Sequence, residues 1–314
     1  MMRAIFGVAL ALASACAVAD ALAPERVAFD SLDADGAGRP VRIEAFLFRP
    51  GDASAKPRPA VVALHGCGGM YSTLKSRAGQ LSQRHQGMAE LLVAQGYIVL
   101  FPDSFHARGL KEICTIRNRE RTVKQPQRMR DAQGALRYLQ ARPDVDHDRI
   151  AVLGWSNGGS TVLAAMNARQ PSVAAWREQA GRPAYFRAAA VFYPGCIEQR
   201  DARDGYALAA PLVMFLGGSD NWTAPGPCIE LAKRLAARGE PVNLTVYRGT
   251  YHDFDAPNAH GTTRMDVPNG VHPGQGVTIA PNPDAKEDAY AQLKAFLRAS
   301  LAEPAVIPYW RPGP

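Results

Sequence analysis

Arg149-Ile150-Ala151-Val152-Leu153-Gly154-Trp155-Ser156-Asn157-Gly158-Gly159-Ser160 runs from a short apolar stretch into a glycine-flanked serine. The residues up to Leu153 read as a buried strand, and the apolar spacing from Ser160 to Ala168 reads as a helix. Between them stands G-x-S-x-G, with Gly154 and Gly158 two residues either side of Ser156. In a strand–turn–helix setting this pattern makes a sharp, strained turn that lifts a serine hydroxyl above the C-terminal edge of a sheet. Bulkier residues at either glycine would meet adjacent backbone. The helix that follows turns its N-terminus towards the serine, where negative charge is favoured.

A serine hydroxyl is a weak nucleophile until a base takes its proton, and the base needs an acid to orient it. On such a turn the chain order is Ser, then Asp or Glu, then His. The apolar run Leu212 to Leu216 ends in Gly217-Gly218-Ser219-Asp220, which places Asp220 just past a strand end. The next run, Val242 to Arg248, is followed by Gly249-Thr250-Tyr251-His252, which places His252 one strand later. Functional groups collect at these strand ends in open α/β sheets. Asp201, Asp204 and Asp253 follow no core strand, and His260 and His272 lie in looser Pro/Gly-rich sequence. Ser156, Asp220 and His252 are therefore the expected catalytic triad. An oxyanion formed at the serine needs backbone donors. The expected pair is the N–H of Asn157 and, from the loop His65-Gly66-Cys67-Gly68-Gly69, that of Cys67, with Gly68 next. His65 precedes the serine and is expected to shape this loop by hydrogen bonding.

Working outward, eight strands are expected at about 26–32, 40–48, 59–65, 96–102, 149–155, 187–193, 211–217 and 242–248. The first two flank the turn Asp33-Ala34-Asp35-Gly36 and read as an antiparallel hairpin. The later ones are continuous apolar runs, as in strands covered on both faces. Helical spacing appears at 80–95, 128–141, 158–169, 227–238 and 284–301. Alternation of this kind means an α/β domain with a mostly parallel eight-stranded sheet and helices on both faces.

The 314 residues, 47% hydrophobic and 21% charged, have an ordinary globular composition. One domain is expected over 24–303, with a proline-rich extended tail at 304–314. Residues 1–23 have the form of an export signal: Arg3, an apolar run from Ala4 to Leu12, then small residues, with cleavage expected after Ala19. The run is shorter than the roughly 20 residues a membrane-spanning helix needs, so no membrane span is expected. Lipidation at Cys16 is the alternative fate of this leader. Four further cysteines, Cys67, Cys114, Cys196 and Cys228, fit two disulfides in an oxidising compartment, and three pairings are open. No CxxC or HxxxH spacing occurs, so no metal site is expected. The net charge of +7 is not accompanied by any nucleic-acid motif. Eight of the cations fall between residues 104 and 130, namely Arg108, Lys111, Arg117, Arg119, Arg121, Lys124, Arg128 and Arg130, against Glu112 and Glu120.

These features together resemble the dienelactone hydrolase family of α/β-hydrolases. The resemblance rests on the early hairpin, His65-Gly66-Cys67-Gly68-Gly69, Phe101-Pro102-Asp103-Ser104, Arg149 through Gly159, Phe192-Tyr193-Pro194-Gly195, Gly218-Ser219-Asp220 and Tyr251-His252-Asp253-Phe254. It implies hydrolysis of a small-molecule ester or lactone through an acyl-enzyme, with no cofactor. The family's namesakes carry cysteine at the elbow where this chain has Ser156, which favours a serine esterase branch over dienelactone itself as substrate. On this scheme Cys196 and Cys228 sit at neighbouring strand ends and are expected to pair. Cys67–Cys114 would then tie the oxyanion loop to the basic insert 104–130. That insert follows a strand end, so it is expected either to rim the site and attract anionic substrates or to be a solvated loop. Trp155, Trp222 and Tyr251 flank the triad and are candidates for the substrate pocket or for core packing. A serine peptidase for short peptides and a non-catalytic binding protein on the same fold are the alternative functions.

Overall fold

The computed structural model describes residues 22–52, 56–178, 184–257 and 260–302. The expected leader and tail fall largely outside them. Eight strands form one sheet: β1 (Glu25–Ala34), β2 (Pro40–Phe48), β3 (Arg58–Leu64), β4 (Ile98–Pro102), β5 (Val145–Trp155), β6 (Ala188–Phe192), β7 (Leu212–Gly217) and β8 (Val242–Tyr247). Their order is β1-β2-β4-β3-β5-β6-β7-β8. β2 is antiparallel to both β1 and β4, and every pairing from β4 to β8 is parallel.

The continuous apolar strands sort their side chains onto two faces by the period of two. In β3, Ala60, Val62 and Leu64 join one core, and Val61 and Ala63 the other. In β5, Ile150 and Val152 go to the first, and Ala151, Leu153 and Trp155 to the second. The first core is closed by α2 (Gln125–Gln140), α3 (Asn157–Ala165), α4 (Pro171–Glu178) and α6 (Pro225–Ala237). The second is closed by α1 (Gln83–Val93) and α7 (Pro283–Ser300). A one-turn α5 (Ile197–Arg200) precedes β7. Both faces of the parallel strands are thus buried, as such strands require. This is the α/β-hydrolase fold.

Three elements escaped the sequence reading. α4 and α5 are short, and a two-stranded hairpin, β9 (Thr262–Arg264) with β10 (Val277–Ile279), lies in the Pro/Gly-rich stretch after β8. Three-residue strands carry too little alternation to register as a pattern. Both expected disulfides are present, Cys67–Cys114 and Cys196–Cys228, with Cα separations of 4.9 and 5.0 Å. They are consistent with an extracellular protein. Among the described residues no helix is long and apolar enough to cross a membrane.

Candidate active site

Three strand ends deliver the polar centre. Ser156 follows β5 directly, at φ 50° and ψ −117°. Side chains rarely adopt this region, and the strain is carried by the strand and helix locked on either side. The flanking glycines are sterically required. A Cβ on Gly154 would sit 2.5 Å from the Gly158 carbonyl oxygen, and one on Gly158 would collide with the carbonyl oxygens of Leu64 and His65. The turn can only be this tight if β3 and α3 approach each other over bare backbone.

His252 lies past β8, and its Nε2 is 2.9 Å from the Ser156 hydroxyl oxygen. Its Nδ1 donates to Asp220 Oδ2 at 2.6 Å. Asp220 is held in turn. Its Oδ1 accepts the backbone N–H groups of Trp222 (2.8 Å) and Thr223 (2.9 Å). Thr223 Oγ1 lies 2.9 Å from Asp220 Oδ2 and 3.0 Å from the Tyr193 carbonyl oxygen. All three residues of this chain of contacts are buried. Burial works against charge on the His252 imidazole, but the Asp220 charge and hydrogen bond outweigh it, and the net effect raises its pKa above the usual value. The three residues expected to act together are therefore assembled in one relay.

The loop after β3 lies over the serine. The Gly66 Cα is close enough that a Cβ there would contact Ser156 Cβ at 3.6 Å. His65 shapes this loop. Its Nδ1 donates to the Gly66 carbonyl at 2.8 Å, and its Nε2 accepts the Ser104 N–H at 3.3 Å. Burial, then the nearby Arg128 charge, pushes the His65 pKa well down, so the ring stays neutral. Among the described residues the Cys67 and Asn157 amide N–H groups have no acceptor. Both are left available to a ligand.

The basic insert divides. Lys111, Arg117, Arg119 and Lys124 are exposed, and Arg121 is partly buried. Arg108, Arg128 and Arg130 do not join a rim. Arg108 bridges Asp33 and Asp131, Arg130 pairs with Asp33, and Arg128 is buried. The insert is fixed beside the site through Cys114 and a small cluster of Cys67, Phe105, Ile113, Cys114 and Val123, against which Ile116 and Trp222 pack. The β9–β10 loop also reaches it: Asn269 accepts the Asn118 N–H at 2.9 Å and donates to the Ile116 carbonyl at 2.8 Å.

The three aromatic residues considered for the pocket separate. The Trp222 ring packs on His252, with centroids 4.7 Å apart. Tyr251 is exposed. Trp155 is buried in the second core, stacked on Phe192, and its indole N–H donates to Asp255 Oδ2 at 2.8 Å. A ring so enclosed offers no face to a substrate.

Sequence reasoning missed a buried network behind the histidine. Arg84 Nη1 lies 2.5 Å from both Asp253 Oδ1 and the Tyr193 hydroxyl. The Tyr193 hydroxyl donates to Asp255 Oδ1 at 2.5 Å, and the Tyr193 ring packs on His252 at 4.5 Å. Arg84 lies on α1, far before His252 in the chain, so no local signal joins them.

With this geometry in place, the sequence profile of the dienelactone hydrolase family matches residues 43–301. The chain belongs to that family. Its chemistry class is hydrolysis of esters or lactones. A Bradyrhizobium protein described as a probable 2-oxo-3-(5-oxofuran-2-ylidene)propanoate lactonase is 26% identical over 242 residues, covering 74% of this chain and 86% of that one. Two solved structures share the fold. The dienelactone hydrolase-like promiscuous phosphotriesterase P91, from metagenomic libraries, aligns with a TM-score of 0.63 at 19% identity, over 88% of this chain and 99% of that one. Esterase 2 of Thermogutta terrifontis, phosphoramylated by tabun, aligns with a TM-score of 0.59 at 16% identity, over 91% and 97%.

Proposed function

We propose that this dienelactone hydrolase family member is an exported serine hydrolase that cleaves a small carboxylic ester or lactone through an acyl-enzyme. The observation that carries the reading is the relay from Ser156 Oγ to His252 Nε2 at 2.9 Å and from His252 Nδ1 to Asp220 Oδ2 at 2.6 Å. These are hydrogen-bond distances for proton transfer. Ser156 Oγ attacks the carbonyl carbon as its proton passes to His252 Nε2. The carbonyl π pair moves onto oxygen, facing the N–H groups of Asn157 and Cys67. Collapse expels the alkoxide, which takes the proton from His252, and leaves the acyl group on Ser156. Water repeats the sequence, with His252 again as base, and releases the acid. Asp220 holds the imidazole tautomer and stabilises its charged form.

The substrate class we favour is an anionic one. Exposed Lys111, Arg117, Arg119 and Lys124 lie on an insert anchored beside the site. A field of one sign raises the local concentration of opposite charge. The Bradyrhizobium relative is described as acting on a propanoate lactone, which is of that type. Export rests on the form of residues 1–23 and on the two disulfides.

The test is hydrolysis of p-nitrophenyl acetate and of a carboxylate-bearing lactone, by the wild type and by Ser156→Ala. Mass spectrometry would follow fluorophosphonate labelling. Turnover that vanishes in the variant, with the label on Ser156, is the expected result. Unlabelled wild type without turnover would overturn the reading.

A further inference from the structure

Arg128 is a buried cation with an unusual set of partners. It sits on the first turns of α2, spaced with Ala132, Ala135, Leu136 and Leu139 on the stripe that faces the sheet. It is 1% exposed. One guanidinium nitrogen donates to the His65 carbonyl at 2.7 Å, and the other to Asn157 Oδ1 at 2.5 Å. Its guanidinium carbon lies 5.0 Å from the centre of the Phe105 ring. Its Nε has no partner, and no carboxylate pairs with it, among the described residues. The acid three positions on, Asp131, is engaged by Arg108 and Ser31.

An unpaired buried charge is costly, and a structural arginine in a core ordinarily has a carboxylate. This one bonds only to dipoles and lies over a π face, while Asp131 and Asp103, neither of them bonded to it, still favour its charge. Burial pulls its pKa down to about 10, which leaves it charged at neutral pH.

The partners themselves show what the cation does. His65 and Asn157 belong to the two separate segments that carry the unpaired amides. Peptide units are planar and trans, so a carbonyl and the following N–H point in opposite directions. Fixing the His65 carbonyl fixes the Gly66 N–H. The His65 ring fixes the Gly66 carbonyl, and with it the Cys67 N–H. On the other wall, the Asn157 side chain is held while its own N–H stays free. The first turn of α2 is further joined to α3 where Thr161 Oγ1 donates to Gln125 Oε1 at 2.5 Å.

We propose that Arg128 is the positioning residue of the oxyanion hole: it bridges the loop after β3 to the start of α3, and its charge, bonded to no carboxylate, favours the anion that forms between them. The inference rests on Ser156 as nucleophile. No carboxylate bonds to the guanidinium, so an oxyanion forming nearby gains more from it than the neutral carbonyl does, and the effect belongs to the transition state more than to substrate binding.

The test compares Arg128→Lys and Arg128→Gln with the wild type and Ser156→Ala. Steady-state kinetics on p-nitrophenyl acetate would be paired with inhibition by an aryl trifluoromethyl ketone, which forms a tetrahedral oxyanion on serine. The matching methyl ketone serves as ground-state control. Removing an oxyanion donor typically costs about 10²–10³ in kcat. Arg128→Gln is expected to lose about that much kcat with KM within about threefold, and to weaken the trifluoromethyl ketone by the same factor. The methyl ketone should bind as before. Arg128→Lys, which keeps the charge but cannot reach both acceptors, should recover about a tenth of wild-type kcat.

Wild-type kcat in Arg128→Gln would overturn the proposal, as would equal losses for the two ketones. If Arg128→Gln does not fold, Asn157→Ala decides. It removes the side-chain acceptor and keeps the backbone N–H, so it should lower kcat in the wild type and have little further effect in Arg128→Lys. An additive pair would overturn the proposal. An inactive wild type or an active Ser156→Ala would instead overturn the serine reading beneath it.

Discussion

The indole N–H of Trp155 donates to Asp255 at 2.8 Å, which joins the residue before Ser156 to the loop that carries His252. Asp255 is fully buried and also accepts from Tyr193 and Tyr290, with Arg84 Nη1 3.4 Å away. Four segments distant in the chain thus converge on one carboxylate. Removing one member of a buried ionic network leaves the rest uncompensated, at about 3–5 kcal/mol. Asp255→Ala is expected to lose that much stability in urea unfolding and to lower kcat. A variant that unfolds at the wild-type midpoint would mean the network carries nothing.

The pH profile has a fixed direction. His252 must be neutral to accept the serine proton, and Asp220 raises its pKa above the ordinary value of about 6.5. Activity is therefore expected to rise with pH through an apparent pKa above that value and then level off. Stability runs the opposite way. The charged imidazole is favoured in the folded protein, so this contribution is complete below about pH 6.5 and fades as pH rises through the folded pKa. Asp220→Asn should lower kcat by about 10⁴-fold, because the histidine loses its tautomer and its charge partner. A kcat/KM profile flat from pH 5 to 9 in the wild type would contradict this.

Gly158 tests the elbow sterically. A methyl group there meets the Leu64 and His65 carbonyl oxygens, backbone atoms at the end of central strand β3 and just past it that cannot retreat as a side chain could. Gly158→Ala is expected to cost about 3 kcal/mol, the upper part of the overpacking range. Displacing His65 should also disturb the loop that Arg128 holds. Gly87→Ala, in α1 where a Cβ has nothing within 4 Å, is the control and should be neutral or slightly stabilising. Equal melting temperatures for both variants would remove the steric account.

The sheet and the meeting of Ser156, Asp220 and His252 were legible because their signals are local. An apolar run ending in glycine marks a strand end, and Ser156, Asp220 and His252 each follow one. What escaped was set by tertiary contact. Arg128 reads as one more cation in a basic insert, although its spacing with Ala132 and Leu136 places it on the buried stripe of α2. Helical periodicity could have found it, had charge not argued for the surface. Arg84 offers no such clue, since its partners Tyr193, Asp253 and Asp255 come from two other strand ends. Trp155 adjoins the nucleophile in sequence, yet the strand period turns its ring to the opposite side, into the second core.

The two disulfides make different predictions. They close loops of similar size, with sequence separations of 47 and 32, so each should contribute about 2–4 kcal/mol to stability. Cys196–Cys228 joins the start of α5 to α6, neither of which carries Ser156, Asp220, His252 or an amide of the loop after β3. Cys67 instead belongs to the loop beside Ser156, and its carbonyl also accepts the Ile113 N–H at 2.8 Å. Releasing it from Cys114 should loosen one wall of the proposed oxyanion hole. Misplacement of about 1 Å can cost about 100-fold in rate. Cys67→Ala with Cys114→Ala is therefore expected to lower both the unfolding midpoint and kcat at a temperature where the protein remains folded. Cys196→Ala with Cys228→Ala should lower the midpoint alone. Matched thermal melts and p-nitrophenyl acetate kinetics separate the two, and equal kcat in both double variants would show that the oxyanion loop is held without its disulfide.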